Sequence, residues 1–172
     1  MITQPQDEEI AAWFSGRLPA DWVERAPEVT VDREEVTVRV ALDPVELDEG
    51  ASDEAWSAAA QGRISGWRED TRDTRMRIAQ EAEQRFERKV SWGASIGNHT
   101  TLFTHLAVPT MTRLQQSERQ VLDTLVDAGV ARSRSEALAW CVKLVGTHSE
   151  QWLHDLRTAL EQVHAVREHG PS

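Results

Sequence analysis

The chain has 172 residues, 40% of them hydrophobic and 28% charged, which suits one compact domain or one domain with a small appended unit. A single cysteine excludes an internal disulfide scaffold, and no apolar run is long enough to span a membrane. The acidic start also lacks the pattern of a secretory signal. We therefore expect a cytoplasmic protein without a membrane partner. The net charge of −10 excludes a uniformly basic surface for nucleic acid, but it leaves room for a local basic face.

The N-terminal third is acidic and is predicted to contain one helix and one β-hairpin. Residues 1–54 carry 15 acidic and 4 basic side chains, a net charge of −11. Helical spacing of apolar residues predicts a helix from about Gln4 to Ser15. Two valine-rich runs with period-two alternation, Val29–Val31 and Val36–Val40, predict the hairpin. Residues 44–54 are predicted to form an acidic loop.

A long helix and a second hairpin are predicted for the middle of the chain. Apolar residues at helical spacing predict a helix from about Glu54 to Arg88. Two runs rich in apolar residues, Val90–Ile96 and Leu102–Val108, flank Gly97-Asn98, which favours a hairpin turn.

Three helices are predicted for the C-terminal part. Ser117, Ser133 and Thr147 each precede Gln or Glu by three residues, the spacing of a capping box. The first helix should end at Gly129 and the second near Gly146.

Together these elements predict an α+β fold. An α+β domain over residues 1–107 would be followed by a helical unit with an extra terminal helix over residues 108–172. Most of the seven tryptophans lie on helical apolar stripes, which favours core packing over base stacking; the stripe residues are Trp13, Trp56, Trp67 and Trp152.

The stretch from about Val108 to Val145 combines a short strand with two capped helices. The strand ends at Arg113-Leu114, and the first helix carries Leu122 and Leu125 on its inner face before a stop at Ala128-Gly129. The second helix begins with the cap Ser133-Arg-Ser-Glu and has an apolar face formed by Leu138, Cys141 and Val145. This block is similar to the ribbon-helix-helix family of bacterial DNA-binding proteins. The resemblance covers less than a quarter of the chain.

The resemblance implies a homodimer in which one strand from each subunit pairs into a ribbon that enters the major groove. It also implies that the start of the second helix holds a phosphate, as its free backbone N–H groups and partial positive charge would favour. Arg113 can pair bidentately with guanine. The predicted DNA-binding residues are Thr110, Thr112, Arg113, Arg132, Ser133, Arg134 and Ser135.

The predicted ribbon departs from the family pattern. If Thr110, Thr112 and Leu114 face inward, then Met111 and Arg113 face outward, and only Arg113 suits base readout. Pro109 also removes one ladder donor. Two arrangements are therefore open, since the strand could pair with its copy or continue the preceding strand into the chain's own sheet.

The predicted function is that of a homodimeric DNA-binding transcriptional regulator, not an enzyme and without a cofactor. The chain contains no phosphate loop, dinucleotide fingerprint or His-Glu-x-x-His pattern. The acidic N-terminal third could bind another protein or cover the basic segment.

Two alternatives remain. One is a non-enzymatic scaffold protein whose helix pair dimerises or docks on a larger complex. The other is an RNA- or ribosome-associated factor that uses Arg68, Arg72 and Arg75, although the neighbouring Glu69, Asp70 and Asp73 favour a solvated helix face instead.

Overall fold

The computed structural model describes residues 5–22, 26–48 and 50–169. The chain forms two compact units that divide between Val108 and Pro109, here called the N-terminal and the C-terminal unit. Six α-helices and one four-stranded sheet in these ranges confirm the predicted α+β class. None of the described helices is both long enough and apolar enough to cross a membrane.

The N-terminal unit contains the sheet, three α-helices and a short 3₁₀ helix at Ala20–Trp22. The bounds are α1 Pro5–Arg17, β1 Glu28–Val31, β2 Glu35–Ala41, α2 Asp53–Asp70, α3 Arg72–Phe86, β3 Lys89–Ile96 and β4 His99–Leu102. The strand order is β1-β2-β3-β4. Helix α1 lies where it was predicted, except that Gln4 falls outside the described residues.

The first hairpin is confirmed, and valines at alternate positions explain it. Val36, Val38 and Val40 of β2 are buried, while the residues between them are only partly buried. At the turn, Asp32 Oδ1 accepts hydrogen bonds from the backbone N–H groups of residues 34 and 35, at 2.8 and 2.7 Å.

The two hairpins join through a parallel pairing of β2 with β3. Val36 lies opposite Val90 and Val40 opposite Ala94. Parallel neighbours need a long crossover connection, and here it consists of α2 and α3. The helical region between the hairpins therefore allows them to join into one sheet.

That helical region is interrupted at Thr71 and does not form one continuous helix. Thr71 has φ −95° and ψ 0°, outside the values of a regular helix. Its hydroxyl donates to the Trp67 carbonyl oxygen at 2.5 Å and accepts from Arg75 Nε at 3.0 Å. A side chain thus competes with the backbone for a helical carbonyl, which favours a bend at this position.

The second hairpin is confirmed, but its second strand begins earlier than predicted. The two-residue turn at Gly97-Asn98 lets pairing resume at once, so His99 lies opposite Ile96 and β4 ends at Leu102. The predicted strand over Leu102–Val108 is wrong, because residues 103–108 form no strand and Val108 is 47% exposed.

The core of the N-terminal unit lies between the sheet and the helices α1 and α3. Its fully buried members include Ile10, Phe14, Ile78 and Val38. The rings of Phe14 and Trp92 pack edge to face at 6.1 Å. Core packing is confirmed for Trp13 and Trp67, which lie against this cluster, whereas Trp56 is 38% exposed.

Gly93 marks a close approach of β4 to β3 and offers a test of this packing. A methyl group at position 93 would lie 2.8 Å from Leu102 Cδ2 and 2.9 Å from the Thr101 carbonyl oxygen. We expect Gly93→Ala to lower the free energy of unfolding by about 1–3 kcal/mol, because the backbone oxygen cannot move without breaking the hairpin. A urea titration measures the change.

Gly66→Ala is the matched control, because a methyl group on that helical residue meets nothing within 4 Å. Alanine in a helix is favoured over glycine, so this variant should be as stable as the parent protein or up to about 1 kcal/mol more stable. Equal stability of the two variants would contradict the close approach at Gly93.

The C-terminal unit consists of α4 Gln116–Asp127, α5 Arg134–His148 and α6 Glu150–His169. Its small core is formed by Leu122, Ala131 and Ala137. Gly129 follows α4 with φ +73°, a conformation that favours glycine, so the predicted helix stop is confirmed.

The cap of α5 is also confirmed, since Ser133 Oγ accepts from the Glu136 backbone N–H at 3.2 Å. The predicted cap of α4 at Ser117 is wrong. Helix α4 begins after Gln115, whose backbone N–H donates to the Glu118 carboxylate at 2.6 Å, and this pairing places Ser117 inside the first turn.

The predicted cap of α6 at Thr147 is wrong as well. The Thr147 hydroxyl donates to the Lys143 carbonyl oxygen at 3.1 Å, within α5. Helix α5 therefore continues through Gly146 to His148, and Ser149 separates it from α6.

Candidate nucleic-acid interface

The segment from Pro109 to Leu114 leads into α4 without pairing into a strand. Its side chains are exposed except that of Leu114, which packs against the core of the C-terminal unit. Arg119 Nη1 donates to the Leu114 carbonyl oxygen at 2.6 Å and fixes the end of the segment. Among the residues that the structure describes, no other backbone group of 109–114 has a hydrogen-bond partner.

Four of the seven predicted DNA-binding residues line one groove of about 330 Å³. Thr110 and Thr112 form one side of this groove, and Arg134 and Ser135 form the start of α5 on the other. Leu122 and Leu138 also line it. The structure thus brings the two predicted contact regions together within the C-terminal unit.

The side chains of the segment do not show the predicted alternation. Thr110, Met111, Thr112 and Leu114 all line the groove, although Met111 is 98% exposed. Arg113 is exposed and has no hydrogen bond or ion pair within the described ranges. Its guanidinium is therefore available to a partner.

The start of α5 presents free backbone donors. Ser133 caps the helix and occupies the N–H of Glu136, but the N–H groups of Arg134 and Ser135 have no acceptor in the described part of the chain. Such donors, together with the positive end of a 15-residue helix, favour an anion.

Both arginines at this helix start are paired with carboxylates. Arg134 donates to Asp123 through Nε and Nη2, at 2.6 and 2.8 Å, and Arg132 contacts Glu136 at 3.3 Å. These hydrogen bonds hold the pKa values of the Asp123 and Glu136 carboxyl groups below their ordinary range. A phosphate at this position would have to compete with both acids.

Sequence reasoning missed the apolar surface of the C-terminal unit. Trp152, predicted to be buried, is 61% exposed. Other exposed apolar side chains on α5 and α6 are Trp140, Val142, Leu144, Val145, Leu156, Leu160 and Val163. The signal was present in the sequence, since the residues on α6 recur at helical spacing.

In the described parts of the chain, no three His, Cys, Asp or Glu side chains converge as metal ligands would. Cys141 is a free thiol that is partly buried beside the core of the C-terminal unit.

Two family models match the chain, one on each side of residues 103–114. Residues 8–102 match the N-terminal domain of the Rv1265-like proteins, and residues 115–167 match the Mb1296 C-terminal domain. The chain belongs to the Rv1265-like family. Its relatives include Rv1265 of Mycobacterium tuberculosis and Mb1296 of Mycobacterium bovis, each 58% identical over 168 residues, which are 98% of this chain and 73% of theirs.

These two relatives are mycobacterial. The names of these relatives state no activity, and neither family model is described as ribbon-helix-helix. No solved structure matches the chain. DNA binding and dimerisation therefore stay predictions.

Proposed function

We propose that this protein is a homodimeric DNA-binding transcriptional regulator that binds duplex DNA through its C-terminal unit. The observation that carries the proposal is the segment 109–114. Its backbone has almost no partner within the described chain, and it precedes two capped helices and shares a groove with the second. Unpaired backbone donors and acceptors of this kind are a template for pairing with another strand.

A second copy of the chain is the partner that would satisfy both this backbone and the exposed apolar surface. Contiguous exposed apolar side chains mark interaction surfaces, and α6 carries Trp152, Leu156, Leu160 and Val163 at helical spacing. Pairing of two segments in antiparallel orientation would place both copies of Arg113 on the outer face of one ribbon.

The charge distribution permits DNA binding at this unit despite the acidity of the whole chain. Residues 109–172 carry 8 acidic and 7 basic side chains, so the C-terminal unit is close to neutral. The ion pairs of Arg132 and Arg134 are solvent-exposed, and exposed pairs contribute little to stability. A DNA phosphate can therefore replace the carboxylates.

The experiment is a titration of duplex DNA at several salt concentrations with the parent protein and Arg113→Ala. The parent should show a steep salt dependence, and Arg113→Ala should weaken binding by about tenfold, because a bidentate contact to guanine is lost. Arg157→Ala on α6 is the matched control and should bind like the parent. A dimer with no salt-dependent affinity for duplex DNA would overturn the proposal.

A scaffold protein is the second candidate, and the exposed apolar surface of α5 and α6 favours it. In that case the helices would dimerise or dock on another protein, while the paired Arg132 and Arg134 would stay bound to their carboxylates. Dimerisation without DNA affinity in the same titration would support this candidate.

A further inference from the structure

Three arginines of the N-terminal unit converge where α2 meets α3. Arg68, Arg72 and Arg75 line a groove of about 420 Å³ together with Ser65, Thr104 and Phe103. Glu69 also lines this groove. Its size lies in the range of small-molecule sites. The proposed DNA interface uses none of these residues.

None of the three arginines has a carboxylate partner among the residues that the structure describes. Within the described ranges, neither Glu69 nor the neighbouring Asp70 and Asp73 forms an ion pair with them. The sequence had favoured a solvated face on account of these acids. Arg17, by contrast, pairs with Glu81 at 2.7 Å. The groove thus gathers three arginines that have no carboxylate partner in the described part of the chain.

Arg75 is the buried member of the group, with only 6% of the residue exposed. Its Nε donates to Thr71 Oγ1 at 3.0 Å and its Nη2 to the Arg68 carbonyl oxygen at 2.6 Å. Its guanidinium lies over the rings of Phe103 and Trp67, at 5.0 and 5.6 Å. These contacts fix the direction of the side chain, but they leave its charge without a counterion.

This gathering of positive charges is electrostatically unfavourable. Burial, followed by the charges of Arg68 and Arg72, lowers the pKa of the Arg75 guanidinium. Arg68 also lies over Phe103, at 5.4 Å, so one ring holds two of the cations close together. Like charges that gather without counterions repel each other, and a buried one is costly unless it is paired. An anion in the groove would remove this cost.

We propose that the groove binds a small phosphate-bearing ligand, held by the guanidinium groups of Arg68, Arg72 and Arg75. Arginine presents a planar fork of donors that suits phosphate oxygens. The hydroxyls of Ser65 and Thr104 are further donors at the rim.

A small ligand fits this unit better than a nucleic acid does. Residues 3–108 carry 21 acidic and 12 basic side chains, so a long polyanion would be repelled along most of its path. A compact anion meets only the local field, because charges beyond about 8 Å are screened at physiological salt.

Isothermal titration calorimetry of the full chain with pyrophosphate at low ionic strength tests this site. The parent protein should bind pyrophosphate, and the exposed substitutions Arg68→Gln and Arg72→Gln should each weaken binding by about tenfold, since each removes a charge-assisted contact. Arg75→Gln is not the main test, because Arg75 is buried and its substitution is expected to destabilise the fold.

Arg77→Gln is the matched control, an exposed arginine of α3 that does not line the groove. It should leave pyrophosphate binding unchanged. Absence of binding by the parent, or equal weakening by Arg77→Gln, would overturn the site. Loss of duplex DNA or RNA binding in the Arg68→Gln/Arg72→Gln double variant would assign the groove to nucleic acid and overturn the small-ligand proposal. The pyrophosphate readout is independent of the proposed DNA-binding function.

Discussion

Thr112→Pro is expected to weaken dimerisation by about 100-fold or more and to abolish duplex DNA binding. Proline has no backbone N–H, so at position 112 it could not donate a hydrogen bond across the two-stranded ribbon. In a symmetric dimer each copy loses a hydrogen bond, and two losses of about 1.4 kcal/mol correspond to a factor of 100. Sedimentation equilibrium measures the dimer affinity, and the duplex titration measures DNA binding.

The substitution is a clean test because Thr112 is exposed and its backbone N–H has no partner in the described part of the chain. The isolated monomer should therefore fold normally, which circular dichroism checks. Thr112→Val keeps both the N–H group and the β-branched side chain, so this control should dimerise like the parent. A Thr112→Pro protein that stays fully dimeric would show that segment 109–114 forms no ribbon.

Arg134→Glu is expected to weaken duplex DNA binding by about 100-fold, while Asp123→Asn should strengthen it. The first change removes a charge-assisted contact to phosphate and adds a like charge beside it. The second removes the carboxylate that occupies the Arg134 guanidinium at 2.6 and 2.8 Å. The two substitutions change the affinity for DNA in opposite directions because they alter the two partners of one ion pair. The same duplex titration measures both changes.

Arg157→Glu on α6 makes the same change in net charge away from the groove and serves as the control. It should weaken binding only slightly, through the long-range field. If Arg157→Glu weakened DNA binding as much as Arg134→Glu, the loss of affinity would be due to net charge, and the start of α5 would hold no phosphate. Weaker binding by Asp123→Asn would contradict the competition between Asp123 and phosphate.

Local patterns predicted the elements whose causes are local. The alternating valines of β2, the Gly97-Asn98 turn, the Ser133 cap and the Gly129 stop all depend on residues that are near each other in sequence. Predictions failed where two local signals competed. Glu118 reaches Gln115 and displaces the expected Ser117 cap, and Thr147 bonds inside α5 and does not cap α6.

The candidate interface was only partly readable from the sequence. The sequence singled out the segment 109–114 and the start of α5, and their residue types predicted a DNA contact. It could not show that Asp123, eleven residues before Arg134, already occupies that guanidinium. It also missed the groove at Arg68, Arg72 and Arg75, because the adjacent acids favoured a solvated face, and only the three-dimensional arrangement shows that these acids do not pair with the arginines.

The sequence by itself therefore determined the α+β class, the presence of both hairpins, the Ser133 cap, the Gly129 stop and the order of three C-terminal helices, because periodicity, turn residues and capping act over a few residues. Tertiary structure decided the parallel pairing of β2 with β3, the bend at Thr71 and the pairing state of each arginine. These features depend on contacts between residues distant in sequence, or on which of several nearby partners a side chain selects. The exposure of the apolar residues on α6 is also a tertiary feature, because helical spacing shows which residues share a face but not what covers that face.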